Sequence, residues 1–365
     1  MTDALVETAP VRSDEQMDWP RLAKYLAAHL EDAAGPMEVL QFPGGSANLT
    51  YLVSFRPGGQ TADNSVNAGL CEFVVRRPPL GPLARGAHDM VREHKVLSRL
   101  YHGYPKAPRC WLLCEDESVI GAKFIVCERR QGVVIRDRFP AEMSDCNDLA
   151  LRVSGALVDA MAELHNLDPA VVDLLDLGRP DGFVERQISG WYQRWQAAKH
   201  QEVVQVEEIY QGLRASLPKP QRVSILHNDL KLDNCQFAPD NPDAVTSVFD
   251  WDMATLGDPL IDMGTLLGYW PEPGDLTPRA VRAEGANGEF PSRSEITARY
   301  AAMTGLDTSA IWWYEAFALW KTAVVLQQMY IRFRRGQTHD ERFAALPERI
   351  PVLLDQALVL VRSGG

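Results

Sequence analysis

Near the start of the chain, apolar residues recur every three to four positions. Leu22, Tyr25, Leu26 and Leu30 mark one face of an amphipathic helix over Trp19 to Leu30. The pattern then shortens into β-rich runs. Val39 to Phe42 and Leu49 to Val53 read as two strands around the glycine turn Gly44-Gly45, and Cys71 to Arg76 reads as a third. Residues 56–69 are a polar hairpin tip. Residues 86–102 return to helical spacing, with Met90, Glu93, Leu97 and Leu100 on one stripe. A carboxylate on an apolar stripe requires a partner. Trp111 to Cys114 and Phe124 to Cys127 predict two more strands, the second leading into a hinge at Glu128, Arg129 and Arg130.

Beyond the hinge the pattern is mainly helical. Helices are expected over 148–167, over Gly182 to His200, over Ile311 to Arg335 and from Pro347 to about Val361. His165 closes the first of these as a packing or capping residue. Two short strands interrupt the helices, Val223 to Leu226 and Val245 to Phe249, joined through the turn Ala238-Pro239-Asp240-Asn241-Pro242-Asp243 and expected to pair. Residues 271–291, rich in Pro, Gly and acid, read as a surface loop. The division is a disordered tail over 1–16, an N-terminal lobe over 17–128 and a C-terminal lobe over 129–365.

Composition narrows the function classes. The 365 residues hold 46% apolar and 24% charged side chains, ordinary for a globular chain. A formal net charge of −12 argues against a nucleic-acid partner. The six cysteines are scattered, with no C-x-x-C, so neither a zinc site nor a disulfide framework is expected, and a reducing cytoplasm is the simplest setting. The first residues are acidic and polar, unlike a signal peptide. With no run of about eighteen apolar residues, no membrane span is expected.

The candidate chemistry lies where the two short strands end. Asp229 follows the first and Asp250 the second, with Lys231 and Asn234 in between. Phosphoryl transfer needs positioning and charge neutralisation more than covalent help. Asp229 would orient an attacking hydroxyl and take its proton, Asn234 and Asp250 would offer oxygens to Mg²⁺, and Lys231 would meet the moving phosphoryl group. The Asp-to-Asn spacing of five in His227-Asn228-Asp229-Leu230-Lys231-Leu232-Asp233-Asn234 equals that of the kinase signature H-R-D-L-x-x-x-N.

This stretch, with Asp250-Trp251-Asp252 and Gly257-Asp258-Pro259-Leu260-Ile261-Asp262 after it, resembles the aminoglycoside phosphotransferase and choline kinase-like branch of the protein-kinase-like fold. The Leu-His…Asp-Pro and Arg-Gln…Trp pattern around 164–195 further resembles the phosphotransferase domains found beside acyl-CoA dehydrogenases. The resemblance implies an α+β, bilobal fold: an antiparallel sheet with one key helix, then a larger helical lobe. It implies ATP and Mg²⁺ as cofactors and a small-molecule hydroxyl as acceptor. Gly44, Gly45, Ser46 and Asn48 would cover the nucleotide, and Glu128 and Arg129 would stand at the adenine-binding hinge. Arg76 stands where relatives carry lysine and would pair with Glu93, unless Arg77 faces inward instead. Asp258 would anchor its loop and Asp262 would bond back to the catalytic loop. The basic and aromatic helix at 186–199 suits an anionic or partly apolar acceptor, such as a hydroxyacyl thioester, better than an aminoglycoside. A nucleotide-binding pseudokinase and a metal-dependent hydrolase are the alternative classes.

Overall fold

A computed structural model describes residues 7–43, 48–56, 70–80, 88–143, 146–273, 275, 288–338 and 340–364. The chain forms two compact units, one running to Gln131 and also including Ser247–Asp252, the other comprising Gly132–Thr246 and Met253–Gly365. The first unit thus ends three residues later than the expected hinge boundary at Glu128 and recruits a distant segment of the chain.

In the first unit, helix α1 (Trp19–His29) starts at Asp18, whose carboxylate accepts the Arg21 N–H. Strands β1 (Met37–Gln41), β2 (Leu49–Phe55) and β3 (Cys71–Arg77) follow, then helix α2 (Met90–Leu100) and strands β4 (Cys110–Cys114) and β5 (Phe124–Glu128). The strands make one antiparallel sheet in the order β1-β2-β3-β5-β4. Leu22 and Leu26 of α1 join Tyr51, Val53, Phe55, Phe73 and Val75 in its core. Because side chains alternate along a strand, Arg77 shares the face of Phe73 and Val75, and Arg76 takes the other. The expected tail is ordered from residue 7: Ala9 exchanges two backbone hydrogen bonds, 2.8 and 2.7 Å, with Gln41. The open edge of β1 supplies those unpaired groups. The predicted hairpin tip at 57–69 lies outside the described residues.

The second unit opens with strand β6 (Val133–Val134) and helices α3 (Leu149–Asn166), α4 (Phe183–Ala198) and α5 (Val204–Ala215). Strands β7 (Ser224–Leu226), β8 (Cys235–Ala238), β9 (Asn241–Val248) and β10 (Thr255–Gly257) come next. Helices α6 (Leu260–Tyr269), α7 (Arg293–Thr304), α8 (Ile311–Arg334) and α9 (Leu346–Gly364) complete it. The expected pairing of the two short strands does not occur. β7 pairs with β10, while β9 folds back on β8 in a sheet ordered β6-β8-β9. The segment Cys235–Ala238, whose last residue was expected to open the turn, is a strand of its own, and a two-residue link joins it to β9 as a hairpin. Among the described residues, no helix is long and apolar enough to cross a membrane.

A buried carboxylate organises the turn after β7. Asp262 on α6 accepts the His227 and Asn228 N–H groups, both at 2.7 Å, and lies 3.2 Å from His165 Nε2. His165 in turn meets the Tyr300 hydroxyl at 2.7 Å. Burial alone would raise the Asp262 pKa, but the His165 hydrogen bond and the neighbouring imidazoles and N–H groups hold it below the ordinary value. Asp258 likewise anchors its loop, accepting from Leu260 N at 3.1 Å and from the Tyr314 hydroxyl at 2.6 Å. Helices α6 and α8 touch at Gly264, where an added Cβ would stand 2.5 Å from the Tyr314 backbone.

Gly264→Ala is therefore expected to cost about 1–3 kcal/mol by overpacking, read as a lower urea midpoint. Asp262→Asn is expected to cost about 3 kcal/mol, because an amide cannot accept from both N–H groups and leaves a donor facing a donor. The wild-type carboxylate contributes stability that is full above its ordinary value of 3.8 and lost as the pH falls below it. The variant should lack that acid-side slope in denaturation curves taken from pH 5 to pH 2.

Candidate active site

In the first unit, the expected partners of the third-strand cation assemble. Arg76 Nε lies 3.2 Å from Glu93 Oε1 on α2, and Arg76 Nη2 lies 3.3 Å from Asp250 Oδ1. Arg77 is not the inward cation: its guanidinium donates to the carbonyls of Ile120 (2.7 Å) and Pro78 (3.1 Å). Glu93 is fully buried, and neither of its oxygens has an aligned hydrogen bond among the described residues. Burial pushes its carboxyl up to about 7, against the pull of Arg76 and with added repulsion from Asp250 and Asp252. Burial would lower Arg76, yet the facing Glu93 and Asp250 carboxylates leave it more firmly protonated than usual.

Asp250 reaches this cluster because its segment is tied to the first unit. Val248 N and Ser247 Oγ both donate to the Lys106 carbonyl, at 2.8 and 3.2 Å. Trp251 is fully buried edge-on against Tyr104, with ring centres 6.0 Å apart. Asp250 itself holds a φ of 67°, a left-handed conformation that costs a non-glycine residue free energy and is common where function constrains the backbone. Its Oδ2 carries no hydrogen bond among the described residues.

The other nucleotide candidates are placed less directly. Glu128 accepts from Arg109 N at 3.1 Å and is ion-paired with Arg130, whose Nε lies 3.1 Å away without an aligned hydrogen bond. Arg129 pairs with Glu7 at 2.5 Å and lies 5.3 Å over the Phe42 ring. Neither side chain is bonded to Arg76, Glu93 or Asp250. Asn48 is buried, with Oδ1 2.9 Å from His88 Nδ1 and no partner for its Nδ2 among the described residues. Gly44, Gly45 and Ser46 lie outside the described residues.

In the second unit, the loop pinned by Asp262 carries Asp229, Lys231 and Asn234. Asn228, just before them, has a φ of 67°. Asn234 donates Nδ2–H to the Asp229 carbonyl (2.7 Å) and carboxylate (3.1 Å), leaving its own Oδ1 free of hydrogen bonds among the described residues. Lys231 Nζ lies 3.1 Å from Asp229 and 3.8 Å from Asp233, and 5.2 Å over the Tyr269 ring. Burial would lower the Lys231 pKa, but Asp229 and Asp233 raise it overall. Tyr269, at the end of α6, is close enough to Asp229 to feel its charge, and burial plus that carboxylate push its pKa up to about 12.

Sequence reasoning missed Tyr269 and a second lysine, Lys321 on α8. Lys321 Nζ stands 5.7 Å from the Trp191 ring centre, and Arg194 stands 4.2 Å over the same ring. Burial depresses the Lys321 ammonium, Asp229 and Asp262 pull it back, and Arg194 lowers it again, for a net decrease. A signal for Lys321 was present: one charge interrupts the apolar run Ala316 to Leu326. Tyr269 had none beyond its place seven residues after Asp262.

The two units differ in what they offer. The first has a carboxylate oxygen beside a paired arginine. The second has a carboxylate held by Asn234 and Lys231, with the Asn234 oxygen free of hydrogen bonds among the described residues. Among the described residues, no group of three or more His, Cys, Asp and Glu side chains could hold a metal by itself. Mg²⁺ bound through one or two protein oxygens, phosphates and water does not require one.

The sequence of residues 38–296 matches the family model described as the phosphotransferase enzyme family. The chain is 31% identical over 350 residues to acyl-CoA dehydrogenase family member 11 of Mus musculus, covering 93% of this chain and 43% of that protein. The chain thus spans less than half the length of the curated relatives it matches. Among solved structures, a Ralstonia eutropha protein provisionally classed as an aminoglycoside phosphotransferase superposes with a TM-score of 0.76 at 25% identity, over 95% of this chain and 99% of that one. The GDP complex of aminoglycoside 2'-phosphotransferase-IIIa shares the fold, with a TM-score of 0.58 at 13% identity over 93% and 98% of the two chains. With its catalytic-loop motif, its α+β kinase-like fold and a family match over most of its length, the chain belongs to the phosphotransferase enzyme family.

Proposed function

We propose that the protein is a kinase that transfers the terminal phosphoryl group of ATP, with Mg²⁺, to a hydroxyl of a small molecule. The observation carrying this reading is the Asp229 arrangement. Its carboxylate is held by Asn234 and Lys231, while the Asn234 oxygen is left without a hydrogen bond among the described residues. A base that must orient one hydroxyl needs such fixed geometry. Membership of the phosphotransferase family and the nucleotide complex of a structural neighbour support the same reading.

The steps follow from the residues. Asp229 accepts a hydrogen bond from the acceptor hydroxyl and takes its proton as the oxygen attacks the terminal phosphorus. The bond to the bridging oxygen breaks, and the nucleoside diphosphate leaves. Lys231 stabilises the charge of the moving group. Arg76, held by Glu93, grips the phosphates of the donor, as arginine can in place of lysine. Asn234 and Asp250, each with an oxygen free of hydrogen bonds among the described residues, would hold Mg²⁺, which neutralises phosphate charge when bound. The aromatic and basic α4, together with relatives named as acyl-CoA dehydrogenases, supports a hydroxyacyl thioester or similar metabolite as acceptor over an aminoglycoside.

ATP consumption with Mg²⁺ should depend on an acceptor in a panel of amino sugars, amino alcohols, hydroxy acids and hydroxyacyl-CoAs. Asp229→Ala is expected to lower that turnover by about 10²–10⁴-fold without loss of ATP binding. ATP binding without transfer to any acceptor would count against the kinase reading. A second expectation concerns Glu93. Its raised folded pKa means that the unfolded chain ionises first, so wild-type stability should fall as the pH rises from 4.5 to about 7 and level off above. Glu93→Gln should flatten that slope in urea midpoints measured at pH 5 and pH 8. It should also weaken ATP binding by about tenfold, by freeing Arg76 from its fixed position.

A further inference from the structure

We propose that Lys321 and Arg194, held against Trp191, form an anion-binding subsite for the acceptor, which takes a carboxylate or phosphate carried by the molecule whose hydroxyl reacts at Asp229. The role of Asp229 in this statement rests on the kinase reading above; the anion preference does not.

Two cations face one indole ring, at 4.2 and 5.7 Å from its centre. Among the described residues, neither is in an ion pair. This is unusual in a chain with 49 acidic and 37 basic side chains, where most other buried or half-buried cations have found carboxylates. Lys321 belongs to the packed face of α8, with Phe317 and Ala318 before it and Val324 after it, all buried. Burying an ammonium there costs free energy that the Trp191 ring only partly returns. Burial depresses the Lys321 ammonium by more than Asp229 and Asp262 restore, with Arg194 adding to the decrease, and an incoming anion would offset that cost.

The subsite also lies on the acceptor side of the proposed chemistry. Asp229 and Asp262 both act on Lys321 electrostatically. Helix α8 packs against α6, whose Tyr269 feels the Asp229 charge, and against α4, which carries Trp191 and Arg194. Lys231, paired with Asp229 and Asp233, is assigned above to the moving phosphoryl group, so an anion elsewhere on the acceptor needs a different cation. Among the described residues, Lys321 is the nearby lysine left without a carboxylate.

Calorimetric titration of the full chain with two matched pairs tests this. One pair is 3-hydroxybutyrate against its methyl ester, which isolates a carboxylate. The other is 3-hydroxybutyryl-CoA against 3-hydroxybutyryl-pantetheine, which isolates phosphates. At least one anionic member should bind about tenfold more tightly than its neutral counterpart, and the pair that does so identifies the anion. Lys321→Met and Arg194→Gln should each erase about tenfold of that preference while leaving the affinity of the neutral compound unchanged. Lys321→Arg should retain it. If Lys321→Met does not fold, the exposed Arg194→Gln carries the test alone. Equal binding within both pairs, no binding by any of the four, or a preference that survives in the variants overturns the subsite. Phosphoryl transfer measured in parallel separates the two ideas. An anion preference without transfer removes the kinase reading alone, and transfer without a preference removes the subsite alone.

Discussion

A single buried carboxylate, Asp262, accepts two backbone N–H groups of the turn after β7 and leans on His165 and Tyr300. A turn that carries reactive side chains cannot satisfy its own backbone as a helix or sheet would, and a buried N–H without an acceptor is costly. Asp262 removes that cost and at the same time dictates where residues 229–234 begin. Asn228 then tolerates a left-handed φ, because its N–H and its side chain are both held, the side chain by the Met253 carbonyl at 2.9 Å. The positions of Asp229, Lys231 and Asn234 follow from this support.

The first unit solves a comparable problem with charge. Glu93 is fully buried and Arg76 nearly so, and a buried carboxylate facing no cation would take up a proton. Asp250 adds a second negative group to the arginine and repels Glu93. The charges of the cluster thus depend on one another. Asp250 can join only because Ser247, Val248 and Trp251 fasten its segment to Tyr104 and Lys106.

Charge also distinguishes the two lysines of the second unit. Lys231 is surrounded by carboxylates and a phenol, so it positions Asp229 as much as it offers a cation. Lys321 has an aromatic ring and another cation beside it and feels Asp229 and Asp262 without pairing with either, so burial prevails. Similar side chains therefore have opposite local balances. An acidic protein can still present a local attraction for anions, because at short range the nearest groups outweigh the net charge.

The sequence alone determined much of this protein, because its information is local. Apolar periodicity placed α1, α3, α4, α8 and the five strands of the first sheet, and the five-residue interval from Asp229 to Asn234 marked the reactive loop. Strand alternation required that only one of Arg76 and Arg77 face Glu93, but not which one. That depended on which face of β3 α1 covers, a fact of packing between distant segments. The pairing of β7 with β10 instead of β9 was equally hidden, since a three-residue strand has too few side chains to specify its partner, and β8 offered β9 a shorter route. The surroundings of Tyr269 and Lys321 were set only when α6 and α8 packed together at Gly264. A side chain's neighbours across a helix interface depend on the crossing of two helices and not on the spacing within either one.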